Sequence, residues 1–250
     1  MLHPVDHNDP LQHHRADLAA TFRWAARYGW HEAVANHFSY AVNDDGTQFL
    51  MNPNGRHFSR IRASDLLLLD ANDSTTLDGP NAPDATAWGL HGAVHRNVPW
   101  ARCALHIHSR YATVIATLQD AIIPPIDQNT TMFFNRIVVD EHYGGLALDE
   151  EGERVCSLLT DPKKKTMVMG NHGVMVVGET IAEAWNTLYY FERAAETYVL
   201  ALQTGKPLRM IDPDVAEETA QAMNTYSDVI DNHLAELRAI LDEEGSTYAQ

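Results

Sequence analysis

Short apolar runs that favour strands alternate with longer helical patterns along most of this chain. The predicted strands cover residues 34–42, 47–50, 66–69, 104–108, 137–139, 166–169 and 174–177. The predicted helices cover residues 9–28, 84–96, 109–118, 148–159, 179–203 and 212–244. Strands interleaved with helices predict an α/β layered fold. The Asp45-Gly46 pair between the first two runs predicts a β-hairpin.

The length and charge of the chain limit its organisation and its partners. With 250 residues, it is long enough to form one domain with a full core. We therefore expect a single domain over residues 1–250, with an N-terminal helix at about 9–28 and a C-terminal helical extension at about 212–244. The 34 acidic and 18 basic residues give a formal charge of −16. Such a charge repels phosphate backbones and anionic lipids, so we expect neither nucleic acid nor a membrane as a partner.

Two sequence features predict a cytoplasmic protein. The two cysteines, Cys103 and Cys156, lie in apolar segments and read as small core residues in a reducing compartment rather than as a disulfide. The first residues have no basic and apolar leader pattern, and no apolar run approaches the ~20 residues of a membrane span.

The histidine pair at positions 106 and 108 is the strongest chemical signal in the sequence. In an extended strand, residues two apart face the same side, so His106 and His108 present both imidazoles to one point. His172, between a predicted strand and a glycine, supplies a third candidate. Three neutral imidazoles suit Zn, Mn or Fe(II) and leave positions open for a substrate oxygen. The competing interpretation is that these are ordinary polar or core histidines.

Other catalytic motifs are absent or weak. The sequence contains no GxGxxG, no GxxxxGK[ST] and no GxSxG. His91 and His95 lie one helical turn apart, where a pair can bind metal, but without the glutamate of His-Glu-x-x-His a structural or partly exposed position for one or both is the better explanation. The polar loop at 52–62 carries Arg56, Arg60 and Arg62, which either bind an anionic ligand or lie on a solvated turn.

Four short motifs resemble those of the class II aldolase/adducin family. They are Asn36-His37-Phe38-Ser39, Met51-Asn52-Pro53-Asn54-Gly55, His106-Ile107-His108 and Asn171-His172-Gly173. The resemblance implies a three-layer α/β/α sandwich around a mostly antiparallel sheet, assembled as a homotetramer with active sites between subunits. It also implies one divalent metal per chain, most commonly zinc with Mn or Fe(II) as alternatives, on the histidines matching His106, His108 and His172.

The sequence departs from the family at the catalytic acid. The sugar-phosphate aldolases of the family carry a glutamate nineteen positions before the first histidine of His-x-His, and this chain has Ala87 there. A methyl group neither binds metal nor transfers a proton, so the usual base is missing. Asp84, one turn earlier, is either a substitute or a helix N-cap, and His91, one turn later, is a candidate base near neutral pH. Tyr143 completes our set of catalytic candidates.

The phosphate-binding side also differs from the sugar-phosphate aldolases. Asn54-Gly55 and Ala85-Thr86 replace their Thr-Gly and paired serines, which leaves fewer hydroxyl donors for a phosphate. The nearby arginines favour a carboxylate or another planar acidic ligand. We expect the substrate-binding residues to be His37, Ser39, Asn54, Gly55, Arg56, Arg60 and Thr86.

Three functions remain open from the sequence. The first is a metal-dependent lyase acting on a non-phosphorylated small carboxylic or carbonyl compound, by decarboxylation or retro-aldol cleavage. Decarboxylation fits the missing glutamate, because departure of CO2 needs no base to start. The second is a three-histidine non-haem iron oxygenase. The third is an adducin-like binding or assembly module without catalysis, although adducin depends on a basic tail and this C-terminus is acidic.

Overall fold

The computed structural model describes residues 9–79, 81–145 and 149–250 of the chain. Within these ranges the helices are α1 (Gln12–Tyr28), α2 (Ala85–Asn97), α3 (Arg110–Ala116), α4 (Gln128–Thr131), α5 (Asp149–Cys156), α6 (Ile181–Gln203), α7 (Pro213–Asn224) and α8 (Ser227–Glu243). The strands are β1 (His37–Ala41), β2 (Gln48–Met51), β3 (Leu67–Asp70), β4 (Cys103–Ile107), β5 (Ile137–Asp140), β6 (Thr166–Met169) and β7 (Gly173–Gly178). Each predicted strand is present, and the predicted start of the fourth helix at residue 148 lies outside the described residues.

The strands form one seven-stranded sheet in the order β3-β2-β1-β4-β7-β6-β5. Neighbouring strands are antiparallel except for the edge pair β5 and β6, which is parallel. The mostly antiparallel sheet expected from the family resemblance is therefore confirmed. The register between β1 and β4 pairs His37 with His106 at the centre of the sheet.

Helices cover both faces of the sheet. Along β4, Leu105 and Ile107 join the core beneath α1, α3, α6 and α8, whereas Ala104 joins a second core beneath α2 and α5. This alternation is what a strand buried on both faces requires. It produces the predicted three-layer α/β/α arrangement, with His106 on the face covered by α2.

Local sequence signals explain several element ends. Asp84 caps α2 through bonds from the backbone N–H groups of Thr86 (2.9 Å) and Ala87 (3.2 Å), and Gly29 ends α1 with a φ of 68°. In the hairpin turn, Gly46 has a φ of 69°, and a Cβ there would lie 2.0 Å from the carbonyl oxygen of His95. Glycine is therefore required at position 46 by its backbone angle and by the close approach of α2.

The C-terminal region contains two helices where the sequence predicted one. Asn224 ends α7 and donates to the Met132 carbonyl oxygen beside α4 (3.1 Å). Helix α8 packs instead on α1 and α6, and the Trp24 indole N–H donates to its Leu237 carbonyl oxygen (3.0 Å). The two helices cover different parts of the body, and the chain turns between them. The prediction of one continuous helix was wrong for this reason.

Both cysteines are free and buried, as predicted. Among the described helices, none is long and apolar enough to cross a lipid bilayer.

Candidate metal centre

Three histidines from separate parts of the sequence converge at one end of the central strands. His106 lies on β4, His108 directly follows that strand, and His172 lies in the turn between β6 and β7. Because β7 pairs with β4, the turn is carried to the end of the His-x-His segment. One ring nitrogen from each histidine lies within 4.8 Å of those of the other two.

In two of these rings, the Nδ1 nitrogen points away from the other histidines and faces a hydrogen-bond acceptor. His106 Nδ1 donates to the Val174 carbonyl oxygen (3.0 Å), and His108 Nδ1 lies 2.6 Å from a carboxylate oxygen of Glu32. A neutral ring that donates from Nδ1 presents a lone pair at Nε2. The two Nε2 atoms are 2.8 Å apart. With both rings neutral, two lone pairs this close repel each other unless a proton or a metal ion lies between them, and together with His172 this donor set suits a metal ion.

The electrostatic environment keeps the buried rings neutral. Burial, reinforced by the neighbouring histidines, lowers the pKa of His106 well below its ordinary value. Burial has the largest effect on His172 and the neighbouring His108 the next largest, and they lower its pKa to about 4. Neutral imidazole is the form that binds a metal, so both rings are ready ligands near neutral pH.

Glu32 is a residue of the centre that the sequence did not reveal. Its backbone N–H donates to Asn36 Oδ1 (2.8 Å), and its carboxylate holds His108. Glu32 and His108 are 76 positions apart and no motif links them, so only the sheet arrangement shows the contact. Carboxylates that hold a histidine from behind are common around protein metal sites.

A cavity of about 280 Å³ opens beside the three histidines. Its wall includes Asn36, His37 and Asn54 on one side, and Asp84, Thr86 and Ala87 from the start of α2 on another. Tyr143 contributes to the rim and its side chain is half exposed. The side-chain Nδ2 of Asn36 is buried and has no hydrogen-bond partner among the described residues. An unpaired buried donor is costly, so it marks a position for an acceptor atom of a ligand.

The structure separates the remaining predicted residues into those beside the cavity and those away from it. Ser39 and His91 are fully buried behind His37 and do not line the cavity. Gly55 lines a shallower neighbouring depression together with Asn54. Arg56 lies 3.2 Å from an Asp65 carboxylate oxygen, and Arg60 is exposed. Within this chain, neither arginine reaches the cavity wall.

Asp84 and Ala87 define the side of the cavity where the family glutamate is missing. Ala87 is buried and is one of the residues that line the cavity. Burial opposes ionisation of the Asp84 carboxyl, but bonds from Thr86 and Ala87 and the nearby His37 outweigh it and lower its pKa. Asp84 is therefore an ionised helix cap. A catalytic role for it remains a prediction.

Residues 16–199 match the family model described as the class II aldolase and adducin N-terminal domain. The chain belongs to this family. A class 2 aldolase protein of Caulobacter vibrioides is 30% identical over 205 residues, which cover 82% of this chain and 78% of that protein.

Two further relatives carry specific names. The decarboxylase NovR of Streptomyces niveus is 28% identical over 226 residues, covering 87% of this chain and 82% of the relative. The 4-hydroxy-3-prenylphenylpyruvate oxygenase/4-hydroxy-3-prenylbenzoate synthase of Streptomyces roseochromogenus subsp. oscitans is 28% identical, covering 87% of this chain and 79% of that enzyme. Among solved structures, an aldolase II superfamily protein from Pseudomonas syringae superposes with a TM-score of 0.85 at 27% identity, covering 98% of both chains.

Proposed function

We propose that this family member is a divalent-metal-dependent carbon–carbon lyase acting on small, non-phosphorylated carboxylic or carbonyl compounds. The observation that carries the proposal is the convergence of His106, His108 and His172 beside a cavity whose wall has alanine at position 87. The reaction is a decarboxylation or a retro-aldol cleavage. The similarity to a protein named as a decarboxylase supports this class of reaction.

The metal would be held by the three histidines, with Glu32 and the Val174 carbonyl oxygen fixing two of the rings from behind. When bound, a divalent ion, zinc by family precedent with Mn or Fe(II) as alternatives, polarises a substrate oxygen as a Lewis acid. Asn36 also lines the cavity, and its buried Nδ2 has no hydrogen-bond partner among the described residues, so a small rotation of the side chain would offer a neutral donor to a second substrate oxygen.

The composition of the wall supports the proposed substrate class. Among the described residues that line the cavity there is no arginine or lysine. Among these lining residues, side-chain hydroxyl groups come from Thr86 and Tyr143 alone, so a phosphate would find few donors, whereas a carboxylate or carbonyl oxygen would need only the metal position and one further donor. The volume of about 280 Å³ lies at the small end of ligand cavities. A small acid therefore fits better than a sugar phosphate.

The alanine at position 87 bears on the type of bond cleavage. A retro-aldol reaction begins with removal of a hydroxyl proton, and the carboxylate that performs this step in the aldolases is missing here. Asp84, His91 and Tyr143 remain candidates for proton transfer, but His91 lies behind His37 and would act through that ring. Decarboxylation releases CO2 without an initial base, so it does not require a residue in place of the missing glutamate to start the reaction.

An iron-dependent oxygenase is the second candidate function. Within the described part of the chain, the convergent ligand set contains three histidines and no carboxylate. One relative is named as an oxygenase, which supports this alternative. We also propose a cytoplasmic homotetramer, as expected for the family. Its partner subunits would add residues near the exposed rim that contains Tyr143.

One experiment separates these functions. The protein, purified without chelator, is assayed for metal content and then incubated with a panel of hydroxy, keto and aromatic acids while CO2, aldehyde and oxygen are measured. We expect CO2 or aldehyde release without oxygen uptake, abolished by chelation and restored by Zn²⁺. Fe(II)-dependent oxygen uptake would replace the lyase with the oxygenase. Bound metal without turnover across the panel would indicate a binding or assembly module.

A further inference from the structure

Four polar side chains form a continuous hydrogen-bonded chain that runs inward from the cavity wall. His37 Nδ1 lies 2.7 Å from His91 Nε2, and His91 Nδ1 lies 2.5 Å from Ser39 Oγ. Ser39 Oγ lies 2.7 Å from His95 Nε2, and His95 Nδ1 lies 2.9 Å from the Ala101 carbonyl oxygen. Ser39, His91 and His95 are buried, so their protons are held within the protein.

The Ala101 carbonyl fixes the direction of every bond in this chain. A carbonyl oxygen only accepts, so His95 must donate from Nδ1 and its neutral ring must accept at Nε2. Ser39 then donates to His95 and accepts from His91 Nδ1. His91 accepts in turn at Nε2 from His37 Nδ1. With all three rings neutral, no other arrangement of the protons satisfies each contact.

The last ring of the chain therefore faces the cavity with a lone pair. His37 donates inward from Nδ1, which leaves Nε2 without a proton, and the ring lines the cavity. It stacks on His106 with centroids 4.8 Å apart and planes inclined by 27°, so it lies directly beside the metal position. Burial lowers the pKa of His95 to about 4 and that of His91 well below its ordinary value, in keeping with neutral rings inside the protein.

We propose that this row of hydrogen bonds makes His37 a fixed hydrogen-bond acceptor. The acceptor selects ligands that carry a hydroxyl group beside the oxygen that would bind the metal. Ser39, His91 and His95 are positioning residues that act through His37. The inference deepens the proposed function, on which its choice of a small acid as the ligand rests. It favours hydroxy acids over the corresponding acids that lack the hydroxyl.

The selectivity has a direct physical reason. A ring free to change tautomer would present either a donor or an acceptor to the ligand, and would discriminate little between them. A ring held in one tautomer leaves its lone pair unpaired when the ligand has no donor, and repels an oxygen that carries only lone pairs. Sites that require one hydrogen-bonding partner reject analogues lacking it more strongly than apolar pockets reject a change in size.

The proton positions are measurable without any assay of turnover. Long-range ¹H–¹⁵N correlation spectra of the ¹⁵N-labelled protein, as purified and after loading with Zn²⁺, distinguish a protonated Nδ1 from a protonated Nε2. We expect His37, His91 and His95 all to be protonated at Nδ1 alone. A proton on Nε2 of His37, or a mixture of its two tautomers, would overturn the proposal.

Substitutions at Ser39 test whether its hydroxyl transmits the hydrogen-bond direction from His95 to His91 and His37. In Ser39→Ala the link between His91 and His95 is broken, so His91 and His37 should become tautomer mixtures while His95 keeps its Nδ1 proton. Ser39→Thr retains the hydroxyl and should preserve the wild-type pattern. His57→Asn is the control, because His57 contacts His31 (2.8 Å) and takes no part in the hydrogen bonds from His37 to His95, so it should leave all three tautomers unchanged. An unchanged His37 tautomer in Ser39→Ala would refute the transmission.

A binding experiment tests the selectivity itself. Lactate and propionate differ by one hydroxyl, and their affinities for the Zn²⁺-loaded protein give a ratio. We expect this ratio to fall roughly threefold to tenfold in His37→Phe, which keeps a stacking ring but removes the acceptor. An unchanged ratio would overturn the selectivity. These readouts are independent of turnover, so an inactive protein with the predicted tautomers would refute the lyase and leave the chain of hydrogen bonds intact.

Discussion

Glu32 and His108 meet through a 2.6 Å contact between a carboxylate oxygen and ring Nδ1, although 76 positions separate them in the sequence. The contact orients His108 with Nε2 toward His106 and makes the ring a stronger ligand. Glu32→Gln should therefore lower metal affinity roughly tenfold to a hundredfold. Competition with a chromophoric chelator measures the change, and Glu236→Gln, on the exposed side of α8, serves as the control. Equal affinities for both variants would contradict the role of Glu32.

The proposed metal site predicts that bound metal depends on His106 and His172. His106→Ala and His172→Ala should each reduce the bound divalent metal from one ion per chain to far below that value, because two imidazoles rarely retain an ion against dialysis. His13→Ala is a suitable control, since that histidine has 71% of its side chain exposed on α1. Elemental analysis gives the metal content, and circular dichroism confirms that the variants fold. Wild-type content in both variants would refute the centre.

The sequence predicted those features that depend on local chemistry. The Asp84 cap requires only bonds to the next three residues, and the Gly46 turn requires only a positive φ. His106 lies on β4 and His108 directly follows it, so their shared direction follows from the two-residue period of extended backbone. The convergence with His172 does not follow from local chemistry, and it was expected only from the resemblance to the class II aldolase/adducin family.

Contacts that depend on sheet order were beyond a reading of the sequence. The hydrogen bonds from His37 to His95 exist because β1 lies beneath α2, which no local pattern specifies. In the polar loop at 52–62, the sequence suggested contacts with a ligand that the fold does not form within this chain. Its composition favoured ligand binding, but Asp65 pairs with Arg56, and Arg60 is exposed to solvent. Residue types alone do not reveal which partner a guanidinium group will find within the fold.

Ala87→Glu tests the meaning of the missing carboxylate. Because Ala87 lines the cavity, a glutamate there would place a carboxylate beside three imidazoles and fill part of the substrate space. We expect tighter metal binding and at least a tenfold loss of native turnover. Ala87→Gln has nearly the same volume without the charge, and separates filling of the cavity from metal ligation. Unchanged native turnover in Ala87→Glu would show that the small side chain does not make room for the substrate.

Gly46→Ala should destabilise the protein for two reasons. The positive φ costs about 1 kcal/mol for alanine, and the new methyl group would lie 2.0 Å from the His95 carbonyl oxygen. Gly205 has a similar φ of 64°, and no atom lies within 4 Å of the position that a methyl group would occupy there, so Gly205→Ala isolates the cost of the backbone angle. Urea unfolding should show a loss of more than ~2 kcal/mol for Gly46→Ala and a smaller loss for Gly205→Ala. Equal losses would exclude the close contact.

The buried carboxyl of Glu192 should make stability fall as pH rises. Burial raises its pKa from 4.5 to about 7, against a bond donated by Ser109, so the folded state keeps a proton that the unfolded state has released. Stability from this group is complete below about pH 4.5 and is lost as the pH rises through about 7. Glu192→Gln keeps an acceptor for Ser109 but cannot ionise. Urea unfolding at several pH values should show a flatter profile for this variant, and greater stability than wild type at pH 8 by on the order of 2–3 kcal/mol. Parallel profiles for the two proteins would show that Glu192 does not carry this pH dependence.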